Sequence, residues 1–477
     1  MKSENKILFL VSVNSEYPVQ AALAKLLRER TKLYPIFCFD SVAHNLYKEV
    51  QLCKAEGFTV IELNKSHDTK GINDKSLMTS YQQKYQADNC NNFWKSFQGL
   101  GQSFKKVGKL VRNYSKLILD FRQYFRANGI LLLVVSNNKH SFNNPYIIKA
   151  AHLEGVNVVS LPFGMHSPHS LATKAAKEDI LYLHRPVNKL AGFVFPKWKY
   201  QKEQLNVLAL PGEFLFAMEL LDAGPEIPWA GNGGRAGYIL TESEYMRDFY
   251  LQQGIKEEKL VPTGALYNDV MAEVLNKSKI NYQELCRKYR LDVGKPMILT
   301  SFPQYLPTFM DNVSEFDSFG EFVKFYADAL IALYRDFNVV ISIHPRMYAG
   351  NFLELDVTGI TIAEESIEQL IPLCNFYINC ESSTTRWAIA CAKPTINYDF
   401  YRLNFKIFTL DEGVVTVNTP DEFQKTLYQM SYDNKYFQGL KQRQENLKPR
   451  YGLLDGRASE RMLDFFGRIV PEGHLRA

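Results

Sequence analysis

The sequence predicts an α/β chain built as two doubly wound domains. Three observations carry this expectation. Apolar runs of strand length alternate with amphipathic stretches of helix length, as parallel βα units require. Polar clusters fall directly after those runs, where open parallel sheets gather their ligand-binding groups. The chain's 477 residues suffice for two sizeable cores, and 46% apolar with 22% charged residues is an ordinary globular balance.

Lys6 to Val13 is the first strand, Asn14-Ser15-Glu16-Tyr17-Pro18 its turn, and Val19 to Arg30 an amphipathic helix. The Ile7 to Val13 run is short and is broken by Asn14, Ser15 and Glu16, so a strand is a better reading than a signal peptide. Leu33 to Phe39 and Phe58 to Leu63 are the next strands, with a helix from Leu46 to Glu56 between them. No G-x-G-x-x-G follows the first strand, so a dinucleotide fingerprint is absent. Residues 64–128 interrupt the rhythm as a helical insertion. Its second half interleaves Lys95, Lys105, Lys106, Lys109, Arg112, Lys116, Arg122 and Arg126 with rings. This is either a solvated helix face or a surface that meets an anionic lipid or polymer. Strands resume at Ile130 to Val135 and Val156 to Leu161, separated by a helix from Pro145 to Glu154. A helix is expected over Lys174 to Leu190, and the Gly- and Pro-containing stretch 192–235 approaches a domain boundary.

A second series is expected from 236 to 445, followed by a C-terminal helical segment over 446–477. Tyr238 to Thr241 opens it, Ser243 caps a helix to Gln253, and Leu260-Val261-Pro262 leads to Thr263-Gly264. Pro296 to Thr300 is a strand ending in Ser301, and Phe319 to Tyr334 is a helix. The stretch from Val339 to Tyr398 is the most informative. Its strand runs Val339 to Ile343 and Phe376 to Asn379 break at His344-Pro345-Arg346 and at Glu381-Ser382-Ser383-Thr384-Thr385. Thr419, with Pro420 at the first helical position, starts a late helix.

Charge and cysteines narrow the function classes. A net charge of +5 is too weak to argue for nucleic acid. The seven Cys are scattered without a C-x-x-C pair, which favours a reducing, cytoplasmic compartment over a disulfide or zinc framework. No apolar run reaches the roughly 18 residues that span a bilayer, so any membrane contact would be peripheral, at the inner face.

His344 leaves its strand at a proline, and Arg346 beside it suits a phosphate or carboxylate, although a lone His is commonly a satisfied core residue. Glu381, Ser382, Ser383 and Thr384 stand at a strand-to-helix turn whose free N–H groups and hydroxyls could hold an anion. Plain capping would need only one of those hydroxyls. Gly264 is either a loop glycine or a point of backbone approach to ligand, and Ser301 is a weaker candidate. In the first half, His166 and His169 follow a strand in Phe163-Gly164-Met165-His166-Ser167-Pro168-His169. His166 is the first candidate for a general base and Glu16 the second. No G-x-S-x-G elbow indicates a hydrolase triad, and no carboxylate cluster calls for a metal or other cofactor.

With Thr263-Gly264, His344-Pro345, Glu381-Ser382-Ser383 and Lys393-Pro394 on one chain, the second half resembles a GT-B group. That group holds UDP-N-acetylglucosamine 2-epimerase, capsule polysaccharide and polysialyl-type transferases, and teichoic-acid glycerophosphotransferases. The resemblance covers about 236–400. It implies two Rossmann-like domains facing a cleft and implies that His344, Ser382 and Ser383 hold nucleotide phosphates and sugar. Two departures count against epimerase chemistry. The epimerase's Gly-Thr-Arg-Pro-Glu loop is replaced by Val13 to Pro18, and its Asp-Ser-Gly-Gly loop by Glu381-Ser382-Ser383-Thr384. The expectation is a metal-independent glycosyltransferase using a CMP- or UDP-linked sugar donor and a polysaccharide, glycolipid or other lipid-linked acceptor. The alternatives are an epimerase or hydrolase, a glycerophosphotransferase, and a non-catalytic nucleotide-binding protein.

Overall fold

A computed structural model describes residues 5–41, 45–63, 93–202, 205–302, 305–313, 315–343 and 360–470, the side chains of 93–100 and 311 excepted. His344 and Arg346 therefore lie outside the described residues. The chain forms two units. One comprises Met1–Thr241, Arg247–Pro262 and Met462–Ala477, the other Glu242–Met246 and Thr263–Arg461.

The first unit is built on a seven-stranded sheet. Its strands are β1 (Asn5–Val11), β2 (Leu33–Phe39), β3 (Thr59–Glu62), β4 (Ile130–Val135), β5 (Asn157–Ser160), β8 (Tyr238–Thr241) and β9 (Leu260–Pro262). They run parallel in the order β3-β2-β1-β4-β5-β8-β9. Ile7 to Val11 are all buried, which is why this strand reads as an unbroken apolar run: helices cover both faces of a parallel sheet. Around it stand α1 (Tyr17–Arg30), α2 (Tyr47–Ala55), the 36-residue α3 (Phe93–Asn128), α4 (Asn144–Leu153), α5 (Pro168–Ala175), α6 (Pro186–Val194) and α7 (Gly212–Leu220). An antiparallel hairpin, β6 (Lys199–Lys202) with β7 (Leu205–Leu208), lies in the Gly- and Pro-containing stretch 192–235.

Two expectations are corrected here. Tyr238–Thr241 and Leu260–Pro262 do not open the second series at 236; Val159 pairs with Tyr238 and Ile239 with Leu260, so both strands complete the first sheet. Parallel partners are separated by whole crossovers, and a strand of three or four residues carries no local mark of its neighbour. The helix expected over 174–190 is instead two helices, each with proline at its first position. The first ends at Ala175, and the second begins only at Pro186, which holds Arg185 extended (ψ 131°) before it.

The second unit repeats the plan. After α8 (Glu244–Gln252), whose residues from Arg247 on belong to the first unit, and after α9 (Leu266–Asn276) and α10 (Ser278–Tyr289) come β10 (Met297–Ser301), α11 (Phe319–Ile331), β11 (Asn338–Ser342), β12 (Thr361–Ala363) and α12 (Ile367–Leu370). Next are β13 (Phe376–Asn379), α13 (Thr385–Ala390), β14 (Thr395–Tyr398), β15 (Val414–Val417), α14 (Pro420–Tyr432), α15 (Asn434–Tyr451) and α16 (Ala458–Ile469). The six strands are parallel in the order β12-β11-β10-β13-β14-β15. In both sheets the first strand of the series sits between the second and the fourth. The winding therefore reverses beside β1/β4 and beside β10/β13, and such switch points are where open sheets leave a crevice. Rings fill one face of the second sheet: Phe322 stacks on Phe400 at 3.7 Å and Tyr398 on Phe423 at 4.6 Å. Thr419 caps α14 as its sequence predicts, accepting the Glu422 N–H at 3.3 Å while the Glu422 carboxylate accepts the Thr419 N–H at 3.2 Å.

Candidate functional site

The polar turn after β13 lies at the switch point of the second sheet, and the fold adds residues to it. Tyr377 reads as a core strand residue and is buried. Its hydroxyl nevertheless meets Thr384 Oγ1 at 2.8 Å, and Thr384 Oγ1 meets Ser382 Oγ at 2.7 Å. Burial pushes the Tyr377 phenol up to about 12, against the opposing hydrogen bonds of Ser301, Thr384 and Ser382. Ser301 ends β10, the strand that pairs with β13 at the switch point.

The turn's N–H groups are more heavily used than the sequence suggests. Glu381 N–H donates to Asn397 Oδ1 at 2.7 Å, Ser382 N–H to Asn379 Oδ1 at 3.2 Å, Thr384 N–H to Ser382 Oγ at 3.3 Å and Thr385 N–H to the Ser382 carbonyl at 3.2 Å. Among the described residues this leaves Ser383, half-exposed, with both its N–H and its hydroxyl uncommitted. The turn is a rigid cradle that presents one residue, rather than a row of open helix donors.

Two side chains that the sequence reading did not single out hold the cradle. Asn397, on β14, clasps Glu381 from both ends: it accepts the Glu381 N–H and donates Nδ2–H to Glu381 Oε1 at 2.7 Å. The clasp holds Glu381 in the left-handed region (φ 47°), a conformation that costs a non-glycine residue about 1–3 kcal/mol unless its surroundings impose it. Burial raises the Glu381 carboxyl to about 7, with Asp399 adding to the rise and the Asn397 bond opposing it. Arg386, on α13, is 1% exposed. It pairs with the carboxylate of Glu242, itself 3% exposed, through Nε and through Nη2 at 3.2 Å. Its Nη1 donates to the Ser383 carbonyl at 2.5 Å, fixing the residue that the cradle presents.

Gly264 is closely approached by another part of the chain. It has φ 81°, and a Cβ there would stand 2.9 Å from Ala458 Cβ and 3.1 Å from Arg461 Nη2. The close approach at this glycine is made by α16.

In the first unit, Glu16 is fully buried just past β1. Its Oε2 accepts the N–H of Ser12 at 2.7 Å and of Val13 at 3.3 Å, and burial raises its carboxyl to about 7. Gln20 donates to the Leu10 carbonyl at 2.8 Å and to Ser136 Oγ at 3.1 Å. Glu16 Oε1, Gln20 Oε1 and Asn137 Oδ1 are buried acceptors without a hydrogen bond at the ends of β1 and β4, the switch point of this sheet. His166 lies after β5. Its carbonyl accepts Gln253 Nε2–H at 3.2 Å, and its Nε2 lies 3.3 Å from where a Gly164 side chain would begin, so Gly164 leaves room for the imidazole. His169 is in the first turn of α5, behind the N-cap Ser167. His140, after β4, has its Nδ1 buried without a partner, and burial lowers its ring to about 3, a neutral imidazole.

Two parallel, doubly wound sheets, each with ligand-type polar groups at its switch point, define a GT-B-like α/β protein. No family model matches the sequence, and no curated protein matches it. Among solved structures the chain is similar to the UDP-GlcNAc 2-epimerase from Neisseria meningitidis bound to UDP-GlcNAc. That likeness has a TM-score of 0.51 at 13% identity over 97% of this chain and 100% of that one. It is also similar to the glycotransferase of kitacinnamycin (TM-score 0.53, 11% identity, 98% and 99% covered). A third similar structure is a variant of the wall teichoic acid polymerase TagF (TM-score 0.53, 12% identity, 98% and 89% covered). The resemblance drawn from the second half therefore extends, as fold, over nearly the whole chain.

Proposed function

We propose that this protein is a glycosyltransferase that moves a sugar from a nucleotide-activated donor, UDP- or CMP-linked, to a surface saccharide or glycolipid. The observation that carries the reading is the hydroxyl cradle at the switch point of the second sheet. Tyr377, Thr384 and Ser382 form one hydrogen-bonded chain, and Ser383 is held forward by Arg386. The N–H and hydroxyl of Ser383 are neutral donors of the kind that stabilise charge building on a departing phosphate. Similarity to a UDP-GlcNAc 2-epimerase bound to UDP-GlcNAc agrees with a nucleotide-sugar donor. The acceptor's proton would pass to a base of the first unit, His166 or Glu16. The unsatisfied acceptors of Glu16, Gln20 and Asn137 suit hydroxyl donors of a saccharide.

The test is incubation with UDP- and CMP-sugars, with and without saccharide or lipid-linked acceptors, following nucleotide release and sugar transfer together. Acceptor-dependent transfer is expected. Free or epimerised sugar formed without acceptor would replace the transferase reading with a hydrolase or epimerase.

A further inference from the structure

The first unit carries an apolar ridge that the nucleotide reading does not use. On α6, Val187, Asn188, Ala191 and Gly192 are buried, while Leu190, Phe193 and Val194 face outward, Phe193 with 82% of its surface exposed. The ridge continues through rings. Phe195 meets Phe216 of α7 at 5.7 Å, and Phe216 meets the exposed Phe104 of α3 at 5.9 Å. Leu220, at the end of α7, is 66% exposed. A side chain as bare as Phe193 costs solubility and is not needed for packing.

The charge around this ridge is one-sided. α3 carries Lys105, Lys106, Lys109, Arg112 and Lys116 before its first acid, Asp120. Lys105, Lys109, Arg112 and Lys116 are exposed, as are Lys189 beside Leu190 and Lys202 on the hairpin. Of the carboxylates near the ridge, Glu213 and Glu219 are turned inward, while Asp222, two residues past Leu220, is exposed but paired with Lys149 and Arg235, both at 2.6 Å. Glu213 is buried against Arg185 at 3.2 Å and Ser103 at 3.1 Å, and Glu219 binds the Trp198 indole N–H at 2.7 Å and Lys197 at 3.0 Å. The outward face is therefore apolar side chains set among cations, the pattern of a surface that seats in the headgroup layer of a bilayer.

We infer that the α3–α6–α7 face docks on an anionic lipid bilayer, with Phe193, Val194 and Leu190 entering the interface and the lysines meeting lipid phosphates. Lipid fits better than a folded partner because Phe193 stands out as a bare ring rather than lying in a groove, and the exposed cations Lys105, Lys109, Arg112 and Lys116 are spread along α3. This inference rests on the surface alone and is independent of the nucleotide reading.

The experiment is flotation of the full chain with phosphatidylcholine vesicles, with and without phosphatidylglycerol. Binding is expected only when the anionic lipid is present. Phe193→Ser should weaken it about ten- to hundredfold, from the lost burial of one aromatic side chain. Lys105→Gln with Lys109→Gln should weaken it about 25-fold, roughly fivefold per cation. Unchanged thermal unfolding of both variants shows that folding is intact. Wild-type protein that ignores anionic vesicles, or variants that bind as wild type does, would overturn the inference. So would self-association that Phe193→Ser abolishes without any vesicle binding, which would assign the face to a second copy of the chain.

Discussion

Replacing Arg386 by Met separates what the buried ion pair does for stability from what it does for the site. The guanidinium is 1% exposed and Glu242 is 3% exposed, so the pair has little contact with water. Removing the cation leaves a buried carboxylate alone, which costs about 3–5 kcal/mol in comparable pairs. Burial already raises the Glu242 carboxyl above its ordinary range, with Arg386 opposing the rise. Without Arg386 that rise grows, so Arg386→Met should cost least at acid pH, where Glu242 can take a proton, and most at alkaline pH. Adding Glu242→Leu removes the stranded charge. The double variant should then regain most of the lost stability, since apolar replacements of buried pairs are often neutral. Nucleotide affinity should stay low in both variants, because the bond from Nη1 to the Ser383 carbonyl is gone in each. Urea unfolding of the second unit across pH, beside calorimetry of nucleotide binding, measures both effects. A single variant that loses less than about 1 kcal/mol, or a double variant as unstable as the single one, would refute this account of the pair.

Further outcomes follow from other positions. Glu381→Gln should flatten the pH dependence of UDP-sugar binding. The wild-type carboxyl titrates at about 7, so affinity should fall as pH rises through neutrality and a negative charge develops beside the phosphates; a pH-independent wild type would remove Glu381 from the site. Glu16→Gln should stabilise the first unit at pH 8 by up to about 3 kcal/mol. The folded-state pKa is raised from 4.5 to about 7, so wild-type stability declines between those values and the variant's should not; equal pH profiles would contradict this. Gly264→Ala should destabilise the second unit by about 2 kcal/mol through its positive φ and the contact with Ala458, leaving nucleotide affinity intact. A loss of affinity would show that nucleotide touches the backbone there. His166→Ala should lower kcat by about 10²–10⁴ without changing donor affinity if His166 takes the acceptor proton; near-normal turnover would move that role to Glu16.

Much of the architecture was legible because parallel βα units write a local signature. The apolar runs of β1, β4, β10 and β11 and the cap at Thr419 are visible residue by residue. The hydroxyl cluster was visible too, since four hydroxyl residues in a row after a strand are more than a cap needs. What tertiary pairing decides was not legible. The placement of β8 and β9 on the first sheet depends on partners far away in sequence. Tyr377 looks like core because its ring is core, and only its hydroxyl reaches the turn. Arg386 opens a short helix in the sequence, and nothing local shows that Glu242, 144 positions away, is its partner. The spending of the turn's N–H groups was hidden for the same reason, since two of the acceptors are side chains of Asn379 and Asn397. His344 and Arg346, expected to bind phosphate, lie outside the described residues, and His344→Ala tests that expectation directly.

The central claim is that the Ser382-Ser383 turn binds the phosphates of a nucleotide. Calorimetry of UDP, CMP and their sugar conjugates, on wild type and on Ser382→Ala with Ser383→Ala, measures it most directly. Wild type should bind one of the two nucleotide families. The folded double variant should bind it more weakly by about 1.5–3 kcal/mol, or roughly ten- to 150-fold, for the loss of a hydrogen bond to a charged group. A double variant with wild-type affinity, or a wild type that binds neither family, would contradict it.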